Sequence, residues 1–180
     1  MPPRLTLILG GARSGKSTHA LRLAARAADV LFLATAEPGD GEMAAKIERH
    51  RAERPAHWRT LEAPRNPAGA LAAAAAAPMI VLDCVTLWVS KLLLAEGATW
   101  PAASAELDAL LDWHRAGQSH LIVVSNEVGP GLVPADAISQ EYREWLGWFN
   151  QRLAAEADQV YLMVGGLAID LKRLAHSGAP

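Results

Sequence analysis

Cysteine is nearly missing from this sequence of 180 residues: Cys84 stands alone. No internal disulfide can form, so a reducing cytoplasm is the expected compartment. A concentrated basic run is missing as well. The 17 Lys and Arg residues are scattered against 19 Asp and Glu, for a net charge of −2. Such a balance gives no electrostatic footprint for nucleic acid or an anionic membrane, and neither is expected as a partner. Long hydrophobic runs are also lacking. The most apolar stretch, from Pro67 to Leu82, is alanine-rich, interrupted by Pro78 and closed by Asp83, and does not span a bilayer. Met-Pro-Pro-Arg precedes the short apolar-rich run Leu5–Leu9, too short for the core of a signal peptide. There is no internal repeat, no evident linker and no Asn-Lys-x-Asp guanine-reading motif, which argues against a Ras-type switch. Among His19, His57, His114, His120 and His176 no pair has metal-ligand spacing in a convincing setting.

What remains is an ordinary globular composition, 51% hydrophobic and 20% charged, long enough for one domain with its own core over residues 1–180. Short apolar runs alternate with longer helical stretches, the pattern of a mostly parallel α/β sheet covered by helices on both faces. Strands are expected at Arg4–Leu9, Val30–Ala34, Met79–Asp83, His120–Ser125 and Gln159–Val164, with Ala168–Lys172 as a possible sixth. Helices are expected at 16–28, 41–53, 67–76, 85–95, 102–117 and 136–157. The Ala72–Ala77 run belongs, on propensity alone, to a plain surface helix. In such sheets ligands bind beyond the carboxyl ends of the strands.

The first of those ends carries the strongest motif. Gly10-Gly-Ala-Arg-Ser-Gly-Lys-Ser17 is a complete G-x-x-x-x-G-K-[ST] phosphate-binding loop directly after an apolar run. Its glycines permit a tight turn whose N–H groups face phosphate oxygens, and the helix that follows aims its positive end at the nucleotide. Lys16 suits the β- and γ-phosphates, and the Ser17 hydroxyl suits Mg²⁺. The Met79–Asp83 strand ends in a carboxylate of Walker B form, suited to hold Mg²⁺ opposite Ser17, although an Asp there also commonly caps the next helix. Cys84, not Glu, follows it, so the second acid that motors use to activate water is missing and transfer to a substrate is favoured over hydrolysis.

A second cluster lies between Gly39 and Trp58. Met43, Ile47 and His50 share a helical face begun by Asp40 and ended by Pro55, with Arg51 and Arg54 one face over. A histidine so placed is either a core residue bonded to a carbonyl or, beside phosphate-binding arginines, a nucleophile on phosphorus. Ser125-Asn-Glu-Val-Gly129 leaves another strand end, where Asn126 and Glu127 either orient a substrate or form a turn. The helix at 136–157 carries Ile138, Tyr142, Leu146, Phe149 and Leu153, widened by Trp145 and Trp148. That stripe is broad for one buried face, and a subunit interface or an apolar ligand surface is the alternative to core packing.

Taken together, these stretches closely resemble the bifunctional adenosylcobinamide kinase / adenosylcobinamide-phosphate guanylyltransferase family of cobalamin biosynthesis. The resemblance also covers Ala34-Thr-Ala36, Asp40–Ala45, Ile47–Trp58 with His50 and Arg54-Pro55, Asp83–Trp88, Val133-Pro134 and Asn150–Ala154, nearly end to end. It implies a P-loop NTPase fold of RecA-like order, a homotrimer, and two activities. One phosphorylates the aminopropanol hydroxyl of adenosylcobinamide with ATP or GTP. The other transfers GMP from GTP to that phosphate through a guanylylated histidine. Carried over by position, Gly10, Gly11, Ala12, Arg13, Ser14, Gly15, Lys16, Ser17, Thr35, Ala36, Glu37, Arg51, Ala52, Glu53, Arg54, Glu62 and Asp83 contact the nucleotide. Lys16 and His50 are then catalytic, and Ser17 and Asp83 hold Mg²⁺. Arg49 stands where some relatives have the first of two adjacent histidines; a guanidinium has no free lone pair at pH 7, so His50 is the implied nucleophile. The rival readings are a P-loop kinase for another small alcohol, with His50 structural, and a nucleotide-dependent switch without catalysis.

Overall fold

Five strand segments that read as apolar runs form the interior of one seven-stranded sheet, seen in a computed structural model that describes residues 4–37, 48, 51–52 and 54–175. Their order is β3-β2-β4-β5-β1-β6-β7, built from β1 (Arg4–Gly10), β2 (Val30–Ala34), β3 (Arg59–Glu62), β4 (Met79–Asp83), β5 (His120–Val124), β6 (Gln159–Val164) and β7 (Leu167–Asp170). All neighbours are parallel except β6 and β7, which form an antiparallel hairpin. The turn is Gly165-Gly166, both at positive φ, as a tight hairpin joining two right-twisted strands requires.

Alternation along each central strand sorts side chains into two cores. Leu7, Leu33, Leu82 and Val123 face one side, where they meet α2 (Pro67–Ala73), α3 (Val85–Leu93), α4 (Trp100–Ala116) and α5 (Ala137–Glu156). Ile8, Phe32, Val81 and Ile122 face the other, against α1 (Lys16–Ala24) and Trp58. Because both faces are covered, the strands carry almost no polar residues.

Several expected boundaries moved, each for a local reason. β3 was not expected: Arg59-Thr-Leu-Glu is a short edge strand with only one apolar residue, too brief for periodicity to register. The helix expected to 76 ends at Ala73, after which Ala74 is extended. Tertiary capture overrides the propensity of alanine here. Arg59 donates to the carbonyls of Ala75 and Ala76 at 3.0 Å each, Ser119 Oγ donates to that of Ala77 at 2.6 Å, and Ala77 is buried. α1 stops at Ala24 rather than 28, closing through tighter turns such as Ala27 N–H to the Ala24 carbonyl. α4 starts at Trp100, two residues early, because Thr99 caps it and Pro101 occupies its first turn. The possible sixth strand is β7, and Asp170 caps a short final helix, α6 (Leu171–Leu174), where strand had been expected to continue. The helix expected at 41–53, with Met43, Ile47 and His50, falls almost wholly outside the described residues.

Candidate active site

β1 and β4, the strands that end in the phosphate loop and in Asp83, are not neighbours; β5 lies between them. Three strand ends therefore converge: Gly10 to Ser17, Asp83, and the loop that starts at Ser125. Backbone bonds lock them in register. Ser125 N–H donates to the Ile8 carbonyl at 2.9 Å and Glu127 N–H to the Gly10 carbonyl at 3.0 Å.

Gly10 has φ +152°, and a Cβ there would stand 2.6 Å from the Met163 carbonyl oxygen and from Ser14 Oγ. Gly15 has φ +95° and lies against Gly166, whose N–H holds the Ser14 carbonyl at 3.1 Å. The β6–β7 hairpin thus forms a wall behind the loop. Gly11, Ala12 and Arg13 are exposed at its crest, while Ser14 is buried with its hydroxyl unpartnered. Lys16 is buried, and its ammonium folds back to donate to the Gly11 carbonyl at 2.6 Å. Burial pushes its pKa down from the ordinary lysine value, opposed by Cys84 and Asp83. A buried ammonium beside a carbonyl at the mouth of a helix is a site made for an anion.

Half-buried Ser17 opens α1, and half-buried Asp83 acts electrostatically on both Lys16 and Arg54. A hydroxyl and a carboxylate are hard oxygen donors of the kind Mg²⁺ takes, with nucleotide phosphates completing its shell. Among the described residues no three His, Cys, Asp or Glu side chains gather as a metal cage. The thiol of Cys84 is pushed up to about 11 by burial and by Asp83, so it is neutral and unreactive at pH 7.

The remaining expected site residues fall into two groups. At the β2 end, Thr35 is buried and its hydroxyl bonds both backbone groups of Cys84; Ala36 is half-buried; Glu37 pairs with Lys91 of α3. At the β3 end, Arg51 bridges Glu48 at 2.9 Å and Glu62 at 3.2 Å, beside exposed Ala52. Arg54 lies over the Phe32 ring, 3.5 Å from its centroid, and donates to Thr60 Oγ1 at 3.2 Å. Burial pushes the Arg54 pKa down, with Asp83 opposing, and its buried Nε has no partner. His50 and Glu53 lie outside the described residues.

Glu127 is a turn residue: its carboxylate accepts from Gly129 N–H at 2.7 Å. Asn126 is held through its backbone, its N–H donating to Thr86 Oγ1 and its carbonyl accepting from Asn150 Nδ2, each at 3.0 Å. Sequence reasoning missed Lys91, Phe32 and Thr86. Lys91 and Phe32 are revealed only by partners distant in the chain, whereas Gly165-Gly166 between apolar runs was a legible hairpin signal.

Comparison with known proteins decides the family. The model for cobinamide kinase / cobinamide phosphate guanyltransferase matches residues 6–171. The chain belongs to that family. It is 45% identical to the bifunctional adenosylcobalamin biosynthesis protein CobP of Pseudomonas aeruginosa, over 92% of this chain and 96% of that protein. It is 40% identical to CobU of Salmonella typhimurium, a protein of the same description, over 93% and 99% respectively. Solved structures support the fold alone. The RadB recombinase aligns with TM-score 0.50 at 17% identity, over 89% of this chain and 74% of that one. An ATPase of a bacterial type III secretion system aligns at 0.54 and 13%, over 98% of this chain and 61% of that one. The family member described here therefore has the RecA-like P-loop architecture its sequence led one to expect. No helix among the described residues is long and apolar enough to cross a membrane.

Proposed function

We propose that this chain, acting as one domain, carries out both family reactions: it phosphorylates adenosylcobinamide with ATP or GTP, then moves GMP from GTP onto the new phosphate. The observation that carries this reading is the anchoring of Arg51 to Glu62, at the carboxyl end of β3, and of Arg54 over the Phe32 ring, midway along β2. These two cations follow His50 in the chain, and Asp83 acts electrostatically on Arg54. A switch has no need of them.

In the first step the substrate hydroxyl attacks the γ-phosphorus and the bond to the β,γ-bridging oxygen breaks, leaving a nucleoside diphosphate. Lys16 balances the charge on the departing and transferred groups, and the loop amides of residues 11–16 orient the phosphates. Mg²⁺, held by Ser17 and Asp83, would supply further charge neutralisation. In the second step a neutral His50 nitrogen attacks the α-phosphorus of GTP and pyrophosphate leaves. A phosphate oxygen of the acceptor then displaces the histidine, restoring the imidazole and forming the diphosphate bond. Arg51, Arg54 and the segments at Ala36–Glu37 and Ala52–Glu53 surround this nucleotide.

A homotrimer in the cytoplasm is the setting we infer. The single neutral thiol suits a reducing compartment, and exposed Val164, Leu167 and Leu174 on and beside the β6–β7 hairpin offer an apolar surface for association. Light scattering that found a stable monomer at micromolar concentration would reject the trimer.

The deciding experiment uses GTP labelled at the α-phosphorus. A phosphorus–nitrogen bond is labile in acid and stable in base, so label of that behaviour should appear on the chain, survive Arg49→Ala in part, and vanish in His50→Ala. Kinase activity should persist in His50→Ala. Normal labelling of that variant, or joint loss of both activities in a folded protein, overturns the assignment.

A further inference from the structure

Helix α5 has a second face besides the one it buries. Gln140, Arg143, Glu144, Gly147, Trp148 and Gln151, at spacings of three and four, line one wall of an open groove of about 370 Å³. Gly129 and Val133, from the loop after β5, line the other. Trp148 is 54% exposed, although the same helix buries Trp145 and Phe149 in the core. The excess width of the aromatic stripe is therefore this groove.

Direct bonds tie the groove to the phosphate loop. Glu127 N–H holds the Gly10 carbonyl, the Glu127 carboxylate holds Gly129 N–H, and Arg143 donates to the Gly129 carbonyl. Gln140 donates to the Pro134 carbonyl at 2.8 Å and closes the rim. The groove thus begins at the same strand ends as the nucleotide site. Its chemistry differs from that site. Arg143 and Glu144 offset each other in charge, so nothing there selects a polyphosphate, and the rest is an indole, two carboxamides, a valine and two glycines.

Resting on the function proposed above, we propose that this groove binds the corrinoid end of the acceptor and so aims its aminopropanol arm at the phosphate loop. A corrinoid presents a broad apolar ring system whose edge carries carboxamides. The Trp148 indole matches the ring, and Gln151 and Gln140 match the amides by reciprocal hydrogen bonding. The groove holds an edge of the macrocycle and not the whole of it, which leaves the far face in solvent and the arm free to reach Gly10–Ser17. A second copy of this chain is the competing occupant, and the test separates the two.

Gly147 provides the probe. A Cβ built there meets nothing within 4 Å, and its φ is unexceptional. Gly147→Phe therefore starts from an unobstructed Cβ on the groove wall, at a helical position where phenylalanine is a better helix former than glycine. It should keep wild-type thermal stability, oligomeric size, KM for GTP and labelling by α-labelled GTP alone. Its KM for cobinamide, and its Kd in equilibrium dialysis, should rise about tenfold or more. Trp148→Ala should raise the same two constants, and Trp148→Phe should restore most of the loss. A folded Gly147→Phe with wild-type cobinamide constants overturns the proposal, as does one whose oligomeric size changes, which would assign the groove to a second copy. A wild-type protein that ignores cobinamide would instead refute the function itself.

Discussion

The hydroxyl of Thr35 holds both backbone groups of Cys84, donating to its carbonyl at 2.7 Å and accepting from its N–H at 2.8 Å. With Thr35 N–H donating to the Asp83 carbonyl at 3.2 Å, the end of β2 clamps the residue that follows β4. Thr35 is 0% exposed. Its hydroxyl therefore fixes the peptide that follows Asp83 at the end of β4.

Thr35→Val keeps the shape of the side chain and leaves the Cys84 N–H without its partner, while the Cys84 carbonyl keeps Trp88 N–H at 3.3 Å. The expected cost is about 1–3 kcal/mol, since an orphaned buried donor is expensive. Thr35→Ser, which keeps the hydroxyl, should lose less than half as much. The midpoint of urea unfolding measures both; equal midpoints for Thr35→Val and wild type would remove the clamp from the account.

Gly10→Ala should damage the fold and Gly11→Ala should not. At Gly10 the new Cβ collides with the Met163 carbonyl in a positive-φ conformation, whereas at Gly11 nothing lies within 4 Å. A loss of about 2 kcal/mol at Gly10 corresponds to roughly 5 °C in Tm for a chain of this size. Differential scanning calorimetry of the pair supplies the comparison, and indistinguishable Tm values would contradict the packing of the loop against β6.

Lys16→Ala should lower kinase kcat by about 10² or more while leaving the fold intact, because catalysis here rests on charge and positioning. Stability should not fall, since a desolvated ammonium whose pKa is pushed down is no source of folding energy. Near wild-type turnover in the folded variant would end the phosphate-loop reading.

Acid should weaken the fold well above the carboxylate range. Burial lowers the pKa of His19, His114 and His120, with nearby arginines adding to it; Asp158 opposes this at His114 and His120. The unfolded chain, with ordinary histidines near pKa ~6.5, binds more protons than the folded one, so stability rises with pH across this window. It should be level from pH 7 to 8 and fall as pH drops from about 6.5 toward 5. His120, held down chiefly by burial and then by Arg4 and His114, is one contributor. His120→Gln should flatten the slope in urea titrations, and an unchanged slope would exclude it.

Much of this protein was legible before any coordinates. Residues that act through bonds to chain neighbours announce themselves locally: Gly10–Ser17 after β1, and the apolar runs of β1, β2, β4, β5 and β6. Those features depend on backbone sterics and on period, which a linear sequence displays. Other decisions belong to tertiary structure. The arm of Arg59 ended an alanine helix, and four residues with a single leucine became a strand because β2 offered an edge in register from Leu31 to Ala34. Lys91 met Glu37, Arg54 met Phe32, and the α5 stripe divided into a buried face and a groove wall. Each of these turns on which distant surfaces meet, and that is set by the order of strands in the sheet and not by the spacing of residues along the chain.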